Sequence, residues 1–318
     1  MSQIKLSIAI VNWNTADITK KCLESIFSTI KKTSFEVIVV DNASTDESVK
    51  MIENEFNGIT LIKNNENLLF AEPNNQAFQI SKGKYFFLLN SDTELHENAV
   101  DTLVEYLDEN DDVAGVTCKL ENPDGTTQYY FHSQLPNSKK VILIWIFGLL
   151  KLPKIKLIRN MFYFNADFSK NFIIEQPAGA CFILRKDVIK KIGGLFNSKH
   201  FPLYYNDVEL AYRLQKNSQK LVCVGGASIM HIGGYTTKKK ASKASRKVLM
   251  AEACLRYFKY NKLWFDYVLI WLSFVFIIGA VIIVHFFYTL IKKSSINDYL
   301  KAVKAYVQNV VFNPFLKL

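Results

Sequence analysis

The chain has 318 residues, of which 49% are hydrophobic and 14% aromatic, and its 39 Lys or Arg residues against 29 Asp or Glu give a net charge of +10. This length suits one enzyme-sized α/β domain with an additional segment. The apolar composition, with only 13 Gly and 7 Pro, excludes disordered, collagen-like and low-complexity proteins.

The first 118 residues alternate strand patterns with helix patterns. Short β-branched or aromatic runs predict strands at Leu6–Val11, Phe35–Val40, Ile59–Ile62, Tyr85–Leu89 and Val113–Cys118. Apolar residues at helical spacing predict helices at Asp17–Ile30, Asp46–Phe56, Pro73–Ser81 and Glu97–Glu109. Because the strands are almost continuously apolar, we expect an α/β fold with a Rossmann-like, mostly parallel sheet flanked by helices.

The pattern is irregular from 119 to 180 and regular again after that. An apolar run at 141–150 is too short to span a bilayer and suits either a core helix or a surface lying on lipid. Farther along, 179–185 predicts a strand, Lys186–Ile192 and Asp207–Lys216 predict helices, and Leu221–His231 predicts extended chain.

The basic charge is concentrated near the C-terminal end. Residues 236–262 contain nine Lys or Arg and one Glu, a net charge of +8. Residues 267–291 contain no Asp, Glu, Lys or Arg, and as a helix they would extend about 37 Å, enough for a hydrocarbon core of about 30 Å. This favours a membrane helix over a buried core helix and leaves a span or a re-entrant hairpin open.

The five cysteines are scattered without a C-x-x-C spacing, which indicates a reducing compartment. The N-terminal residues predict a first strand and no export signal. We therefore expect the protein at the cytoplasmic face of the cell membrane. Nucleic acid is not an expected partner, because the basic segment adjoins the apolar helix and lacks interleaved aromatic residues.

Polar residues follow three of the predicted strands. They are Asn12 and Asn14 after the first, Asp41 and Asn42 after the second, and Asn90, Ser91 and Asp92 after the fourth. The carboxyl ends of parallel strands meet at one edge of a sheet, where ligands bind. Asp41 in this position suits the N3–H group of a uracil or thymine ring, or a ribose hydroxyl, although these residues also suit a strand end and a helix cap.

Two further segments carry candidate chemistry. Asp92 suits Mg²⁺ or Mn²⁺, which bind substrate diphosphate through one or two carboxylates, and His231 is a candidate second ligand. Asp207, in FPLYYNDVELAYRL at 201–214, suits a general base. For Asn206 and Glu209 the simpler interpretation is a helix cap with a capping-box partner.

Seven motifs in order carry a family resemblance: VNWNT, EVIVVDNASTD, NENLLFAEPNNQA, FFLLNSDTEL, PAGACFILRKDVIKKIGGLF, FPLYYNDVELAYRL and ASIMHIGG. Together they resemble the inverting family-2 glycosyltransferases, especially the bacterial rhamnosyltransferase-like branch. The resemblance covers about residues 5–260. It implies a GT-A fold, a nucleotide-diphosphosugar donor, a divalent metal and an aspartate base.

Each role is carried over by position in this sequence. The resemblance places Asn14, Asp41, Asn42 and Asn67 at the donor nucleotide, Asp92 and His231 on Mn²⁺ or Mg²⁺, and Asp207 as the base; the sugar or acceptor region includes Gly179, Ala180, Asn206 and Glu209. The chain departs from the family pattern in four places. Asn206 replaces an acid, Leu69 and Pro73 replace glycines, and Ser91 replaces a proline.

The sequence therefore predicts three regions. Residues 1–235 form a GT-A catalytic domain, with a nucleotide-sugar half at about 1–118 and an acceptor half at about 119–235; 236–262 form a basic loop and helix; 263–318 form a membrane-associating helix and basic tail. The predicted function is metal-dependent, inverting transfer of rhamnose or a hexose from a dTDP- or UDP-linked donor to a lipid-linked or polysaccharide acceptor. The alternative is a catalytically impaired, membrane-bound nucleotide-sugar-binding or scaffold relative.

Overall fold

A computed structural model describes residues 4–149, 156–233, 243–292 and 304. The chain forms two compact units, residues 1–135 with 160–239, and residues 136–159 with 240–318. The three regions expected from the sequence stay a prediction. They include residues 136–159 in the catalytic domain, whereas the structure assigns these residues to the second unit.

The first unit alternates strands and helices in its N-terminal half. Its elements are β1 (Leu6–Asn12), α1 (Ala16–Thr29), β2 (Phe35–Asp41), α2 (Ser48–Glu55), β3 (Thr60–Lys63), α3 (Ala71–Ile80), β4 (Tyr85–Asn90), β5 (Thr93–Leu95), α4 (Ala99–Glu109) and β6 (Val113–Glu121). All five strands predicted in this half are present, whereas β5 was not predicted. With three residues, β5 is too short for an alternating pattern to show.

After the irregular segment the first unit contains further elements: α6 (Lys156–Met161, of which the last two residues belong to this unit), β7 (Phe172–Ile173), β8 (Cys181–Arg185), α7 (Lys186–Lys191), α8 (Asn206–Lys216) and β9 (Lys220–His231). The strands of the described residues form one sheet in the order β3-β2-β1-β4-β8-β6-β9-β5, with β7 also paired to β9. The predicted α/β architecture is confirmed.

The strand directions decide which residues share an edge. β2 is parallel to both β1 and β3, β1 is parallel to β4, and β6 is parallel to β9. β8 is antiparallel to both β4 and β6. Consequently the carboxyl ends of β1, β2, β4 and β9 and the beginning of β8 lie at one edge of the sheet. Two fully buried apolar layers cover its faces, one including Leu23 and Leu103, the other including Phe86 and Leu210.

The second unit contains three described helices, α5 (Ser138–Leu149), α9 (Lys243–Tyr260) and α10 (Trp264–Lys292). The indole ring of Trp145 in α5 packs edge-on against Phe274 in α10, with centroids 4.9 Å apart. The apolar run at 141–150 is thus largely helical, with Val141 buried and Ile144 exposed.

Residues 267–291 are helical, as part of α10. Over the residues that the structure describes, no helix is long and apolar enough to cross a membrane. A membrane association of this segment stays a prediction.

Candidate active site

The loops that follow β1 and β2 are joined by buried polar side chains. The Asn12 amide donates to Asp41 Oδ1 at 2.7 Å, and its oxygen accepts hydrogen bonds from the hydroxyls of Thr15 and Thr19, both at 2.7 Å. Asp41 also accepts a bond from the backbone N–H of Ser44 at 2.9 Å. Asn12 is 0% exposed and Asp41 2% exposed. Asn12 therefore orders the two loops, and its contact with the nucleotide stays a prediction.

Asn14 joins the same two loops nearer to the surface. It adopts a left-handed φ of 54°, and its side-chain oxygen accepts bonds from the backbone N–H groups of Thr45 at 2.7 Å and Asp46 at 3.3 Å. Its own N–H donates to the Ser44 hydroxyl at 2.9 Å. The sequence correctly brought Asn14 and Asp41 to one edge, and the structure shows that they order a shared turn.

Asn42 connects this turn to the loop before α3. Its amide donates to the Leu69 carbonyl at 2.6 Å, and its oxygen accepts a bond from Asn64 at 3.0 Å. Asn67 accepts the N–H of Leu69 at 2.8 Å. Leu69 has a φ of +66°, in the region that favours glycine. The backbone thus retains the conformation of the glycine that the family pattern has there.

A short strand brings the predicted metal ligands together. β5 pairs with the end of β9, and Thr93 lies opposite His231. The backbone carbonyl of Asp92 accepts the N–H of Ile232 at 2.9 Å. As a result, His231 Nε2 lies 3.3 Å from Asp92 Oδ1 and 3.3 Å from the Asn90 amide nitrogen. His231 lies 139 positions from Asp92 and 141 from Asn90 in the sequence, and the pairing of β5 with β9 helps bring them together.

Gln128 fixes the tautomer of His231. Its amide group donates to the Asn122 side-chain oxygen at 3.0 Å and to the His231 carbonyl at 2.8 Å, so its oxygen is the atom that faces His231 Nδ1 at 2.7 Å. Nδ1 must then carry the imidazole proton. Nε2 faces Asp92, and a second contact such as the one at Nδ1 is a common way of orienting a metal-bound histidine.

The donor set fits a divalent cation such as Mn²⁺. A carboxylate oxygen and an imidazole nitrogen with a fixed tautomer lie within 3.3 Å of each other, and oxygen and nitrogen ligands suit this class of metal. Within the described part of the chain, no group of three or more His, Cys, Asp or Glu side chains forms a cluster suited to a metal. A metal held by these two ligands would have its remaining positions open to water and substrate oxygens.

Asp207 lies at the start of α8, half-buried, and accepts several hydrogen bonds. Desolvation raises the pKa of its carboxyl group, whereas bonds from the backbone N–H groups of Gly179 and Val208 and from the Gln176 amide oppose that rise. The Gly179 and Gln176 donors lie 3.4 and 3.2 Å from Oδ2. A carboxylate with a raised pKa is a better proton acceptor, so the environment of Asp207 suits a general base.

Two connections join the Asp207 side to the Asp92 side. Gly179 donates its N–H to Asp207, and the carbonyl of the next residue, Ala180, accepts the backbone N–H of Asn90 at 3.0 Å. Ala180 thus anchors strand ends, while Gly179 lies against the base. A side chain on Gly179 would lie 3.7 Å from the Asp207 Cβ atom.

The second connection is the segment from Gln128 to Ser133. Ser133 donates to the Gln176 oxygen at 2.6 Å, and Gln176 donates to Asp207. His132 lies in the same segment. Burial lowers its pKa to about 4, although its bond to the Cys118 carbonyl opposes the shift. His132 is therefore neutral at neutral pH. Sequence reasoning did not identify Gln128, His132 or Gln176, because isolated amides and histidines in an irregular segment carry no pattern.

The capping interpretation of Asn206 and Glu209 is wrong. α8 begins at Asn206, the preceding residue is Tyr205, and no side chain caps the helix. Asn206 is buried, donates to the Leu203 carbonyl at 2.8 Å and accepts the N–H of Asp207 at 2.8 Å. A neutral amide can make both contacts, whereas a carboxylate there would lack the donor.

Glu209 does not reach the site. Its carboxylate accepts two bonds from Arg213, at 2.8 and 3.0 Å, and only 1% of the residue is exposed. Arg213 in turn donates to the carbonyls of Ile192 and Gly194. Glu209 therefore holds the loop after α7 against α8 through Arg213, and its place in the acceptor region stays a prediction.

A sheet of this topology, with its candidate ligands at the carboxyl edge, defines a GT-A-like α/β protein. Residues 7–193 match the sequence model of a family described as glycosyl transferase family 2. That match covers more than half of the chain, so the chain belongs to this family.

Two curated relatives and one solved structure illustrate the similarity. The O-antigen biosynthesis protein RfbC of Myxococcus xanthus is 24% identical over 263 residues, 81% of this chain and 19% of that protein. The poly(ribitol-phosphate) beta-glucosyltransferase of Bacillus spizizenii is 27% identical over 165 residues, 49% of this chain and 26% of that protein. The chain thus spans about a fifth to a quarter of the length of these relatives.

The solved structure is the mannosyltransferase PcManGT of Pyrobaculum calidifontis in complex with GDP-Man and Mn²⁺. The match has a TM-score of 0.57 at 12% identity and covers 100% of this chain and 89% of that one. It shows a shared fold. Together with the family match, it confirms the GT-A-like architecture that the sequence motifs indicated.

Proposed function

We propose that this chain is an inverting glycosyltransferase of cell-surface glycan synthesis. The observation that carries the proposal is the connection through residues 179 and 180, which brings Asp207 to the same edge as Asp92 and His231. The names of the relatives, in O-antigen and poly(ribitol-phosphate) synthesis, favour a cell-envelope glycan as the product.

The reaction is a single displacement. Asp207 takes the proton of an acceptor hydroxyl while that oxygen forms a bond to the anomeric carbon. The bond from this carbon to the diphosphate oxygen breaks at the same time, and the nucleoside diphosphate leaves with the bonding electrons. One carboxylate base and attack opposite the leaving group invert the anomeric centre.

Asp92 and His231 would hold Mn²⁺ or Mg²⁺, which would supply positive charge for the departing diphosphate. Gln128 keeps the His231 lone pair on the Asp92 side for this purpose. Asn14 and the turn after β2 form the wall for the nucleotide. The donor is a dTDP- or UDP-linked rhamnose or hexose, and the acceptor is a lipid-linked or polymeric glycan.

The second unit supports a location at the cytoplasmic face of the membrane. One side of α10 exposes Phe265, Val268, Leu272 and Phe276, of which the two phenylalanines are 76% and 75% exposed. Large exposed apolar faces mark interaction surfaces, and the sequence of the neighbouring segment 236–262 carries a charge of +8. An apolar face beside a basic segment suits anionic lipid. Sedimentation with anionic lipid vesicles is expected; full-length protein that remains in the supernatant would contradict this location.

The test is a panel of nucleotide sugars with the full-length protein and either Mn²⁺ or Mg²⁺, scored for release of nucleoside diphosphate with and without acceptor-rich membranes. We expect release from one donor, a loss of release after chelation with EDTA, and a product of opposite anomeric configuration by NMR. Donor binding without release under every condition would instead favour the catalytically impaired relative. A product with retained configuration would contradict the single displacement.

A further inference from the structure

A cleft of about 400 Å³ opens beside the end of β9 in the first unit. Its walls include Tyr129, Tyr130, Phe131 and Phe164, together with Thr127 and the Gln128 that bonds to His231. We call it the aromatic cleft. Its volume lies in the range of about 300 to 1,000 Å³ that is typical of small-molecule sites. None of the described residues that line it carries a charge.

The rings of the aromatic cleft are held rigidly by each other. Tyr129 and Phe164 stack with centroids 3.9 Å apart and an interplanar angle of 12°. Tyr130 packs edge-on against Phe162 at 4.9 Å and against Phe164 at 5.1 Å. Such pairs fix ring orientation beyond the effect of simple burial.

Tyr130 is unusual in two further respects. Its φ is +75°, a conformation that non-glycine residues rarely adopt and that costs free energy. Nevertheless 48% of the residue is exposed, so burial of this ring in the core does not explain the cost. Strained backbone that presents an ordered side chain to solvent is found most often at binding sites.

We propose that the aromatic cleft binds a pyranose ring of the acceptor glycan, an inference that rests on the proposed function. The C–H face of a sugar ring packs on an aromatic ring. The sugar hydroxyls can form hydrogen bonds with the hydroxyls of Thr127, Tyr129 and Tyr130, which both donate and accept such bonds. The absence of charge among the described lining residues disfavours a diphosphate, which requires cations or many N–H donors.

Position in the sheet separates the aromatic cleft from the nucleotide wall. The turn with Asp41 follows β2, whereas Gly233 in the cleft follows β9, and β1, β4, β8 and β6 lie between these strands. The segment from Gln128 to Ser133 leads from the aromatic cleft toward Gln176 and Asp207, so an acceptor chain bound there has a path to the base.

The test is saturation-transfer NMR on the full-length protein with methyl α-rhamnoside and methyl β-glucoside as probes. We expect transfer to the ring C–H protons of at least one glycoside, and a loss of about tenfold in affinity in Tyr130→Ala, as for an aromatic contact of about 1.4 kcal/mol. Phe27→Ala is the matched control, because Phe27 is 43% exposed and lines a different surface. No transfer in the wild type, or an equal signal in Tyr130→Ala, would overturn the proposal.

Donor hydrolysis without acceptor separates this proposal from the proposed function. Release of nucleoside diphosphate by the wild type tests the proposed function alone, whereas glycoside binding tests the aromatic cleft alone. In Tyr130→Ala, a raised donor KM with unchanged glycoside binding would overturn the acceptor assignment and indicate that the aromatic cleft binds the nucleotide. A wild type that binds glycosides through Tyr130 but never releases nucleoside diphosphate would refute the proposed function and leave the cleft as a sugar site.

Discussion

Polar residues in the loops after β1 and β2, the donor-side loops of the proposed function, look in the sequence like those around Asp92, Asp207 and His231, its proposed transfer edge. The two groups differ in the structure. After β1 and β2, Asn12 and Asp41 bond to each other and to neighbouring loop atoms, with at most 2% exposed. At the transfer edge, Asp207 is half-buried with a raised pKa, and His231 presents a nitrogen toward Asp92. The first group orders the loops; the second has the geometry for proton transfer and metal binding.

The largest expected effect is on turnover at the transfer edge. Asp207→Asn removes the proton acceptor and should lower kcat about 10²- to 10⁴-fold, the usual contribution of a general base. Its free energy of unfolding should change by only about 1 kcal/mol, because relief of desolvation offsets one lost hydrogen bond. Steady-state kinetics and thermal unfolding measure the two effects.

Asp187→Asn is the matched control for the base, since Asp187 forms an exposed pair with Lys191 at 3.3 Å in the same unit. It should leave turnover unchanged. Near wild-type kcat in Asp207→Asn would remove Asp207 from the role of base.

The second effect concerns metal affinity. Gln128→Leu removes the acceptor that keeps the proton on His231 Nδ1, and loss of such a contact typically costs 10- to 100-fold in metal affinity. Titration of Mn²⁺ followed by electron paramagnetic resonance measures this directly, without turnover. Gln134→Leu is a suitable control because Gln134 directly follows the segment from Gln128 to Ser133 and is not part of the hydrogen bonds that join Gln128 to Asn122 and His231. Equal Mn²⁺ affinity in Gln128→Leu and wild type would show that Gln128 does not position His231.

The third effect concerns stability at the donor-side loops. Asn12→Ala leaves the buried Asp41 carboxylate and two threonine hydroxyls with fewer partners, and one such unsatisfied group costs about 1 to 3 kcal/mol. Urea unfolding should show this loss, while folded protein keeps its transfer rate. A stable Asn12→Ala variant with a raised donor KM would instead place Asn12 in contact with the nucleotide.

The smallest effect is a shift in pH dependence. The base must be ionised to accept a proton, and burial raises its pKa above the ordinary value of 3.8. We therefore expect kcat/KM to fall as the pH decreases through a value above 3.8. The free energy of unfolding changes in the opposite direction, since ionisation of a desolvated carboxyl group makes the fold less stable as the pH rises. If kcat/KM instead fell with a midpoint at or below the ordinary aspartate pKa of 3.8, the base would not be desolvated.

Much of this organisation was readable from sequence, because strand periodicity and the polar residues after Val11, Val40 and Leu89 have simple physical causes. The sequence could not separate a residue that supports a loop from one that faces a ligand, since Asn12 and Asn14 share a motif and differ only in burial. It also could not predict Gln128 beside His231, because Gln128 lies in an irregular segment 103 positions away in the chain. Glu209 suited a capping box until Arg213 proved to be its partner.

The most direct test of the proposed function compares wild type, Asp207→Asn and Asp187→Asn in two assays on the same preparation. One assay is calorimetric binding of the active nucleotide sugar with Mn²⁺, and the other is single-turnover transfer to acceptor. We predict equal donor affinity for all three proteins and a loss of about 10²- to 10⁴-fold in the transfer rate of Asp207→Asn alone. Unchanged transfer in Asp207→Asn, or a matching loss of donor affinity, would contradict the assignment of this edge as the catalytic site.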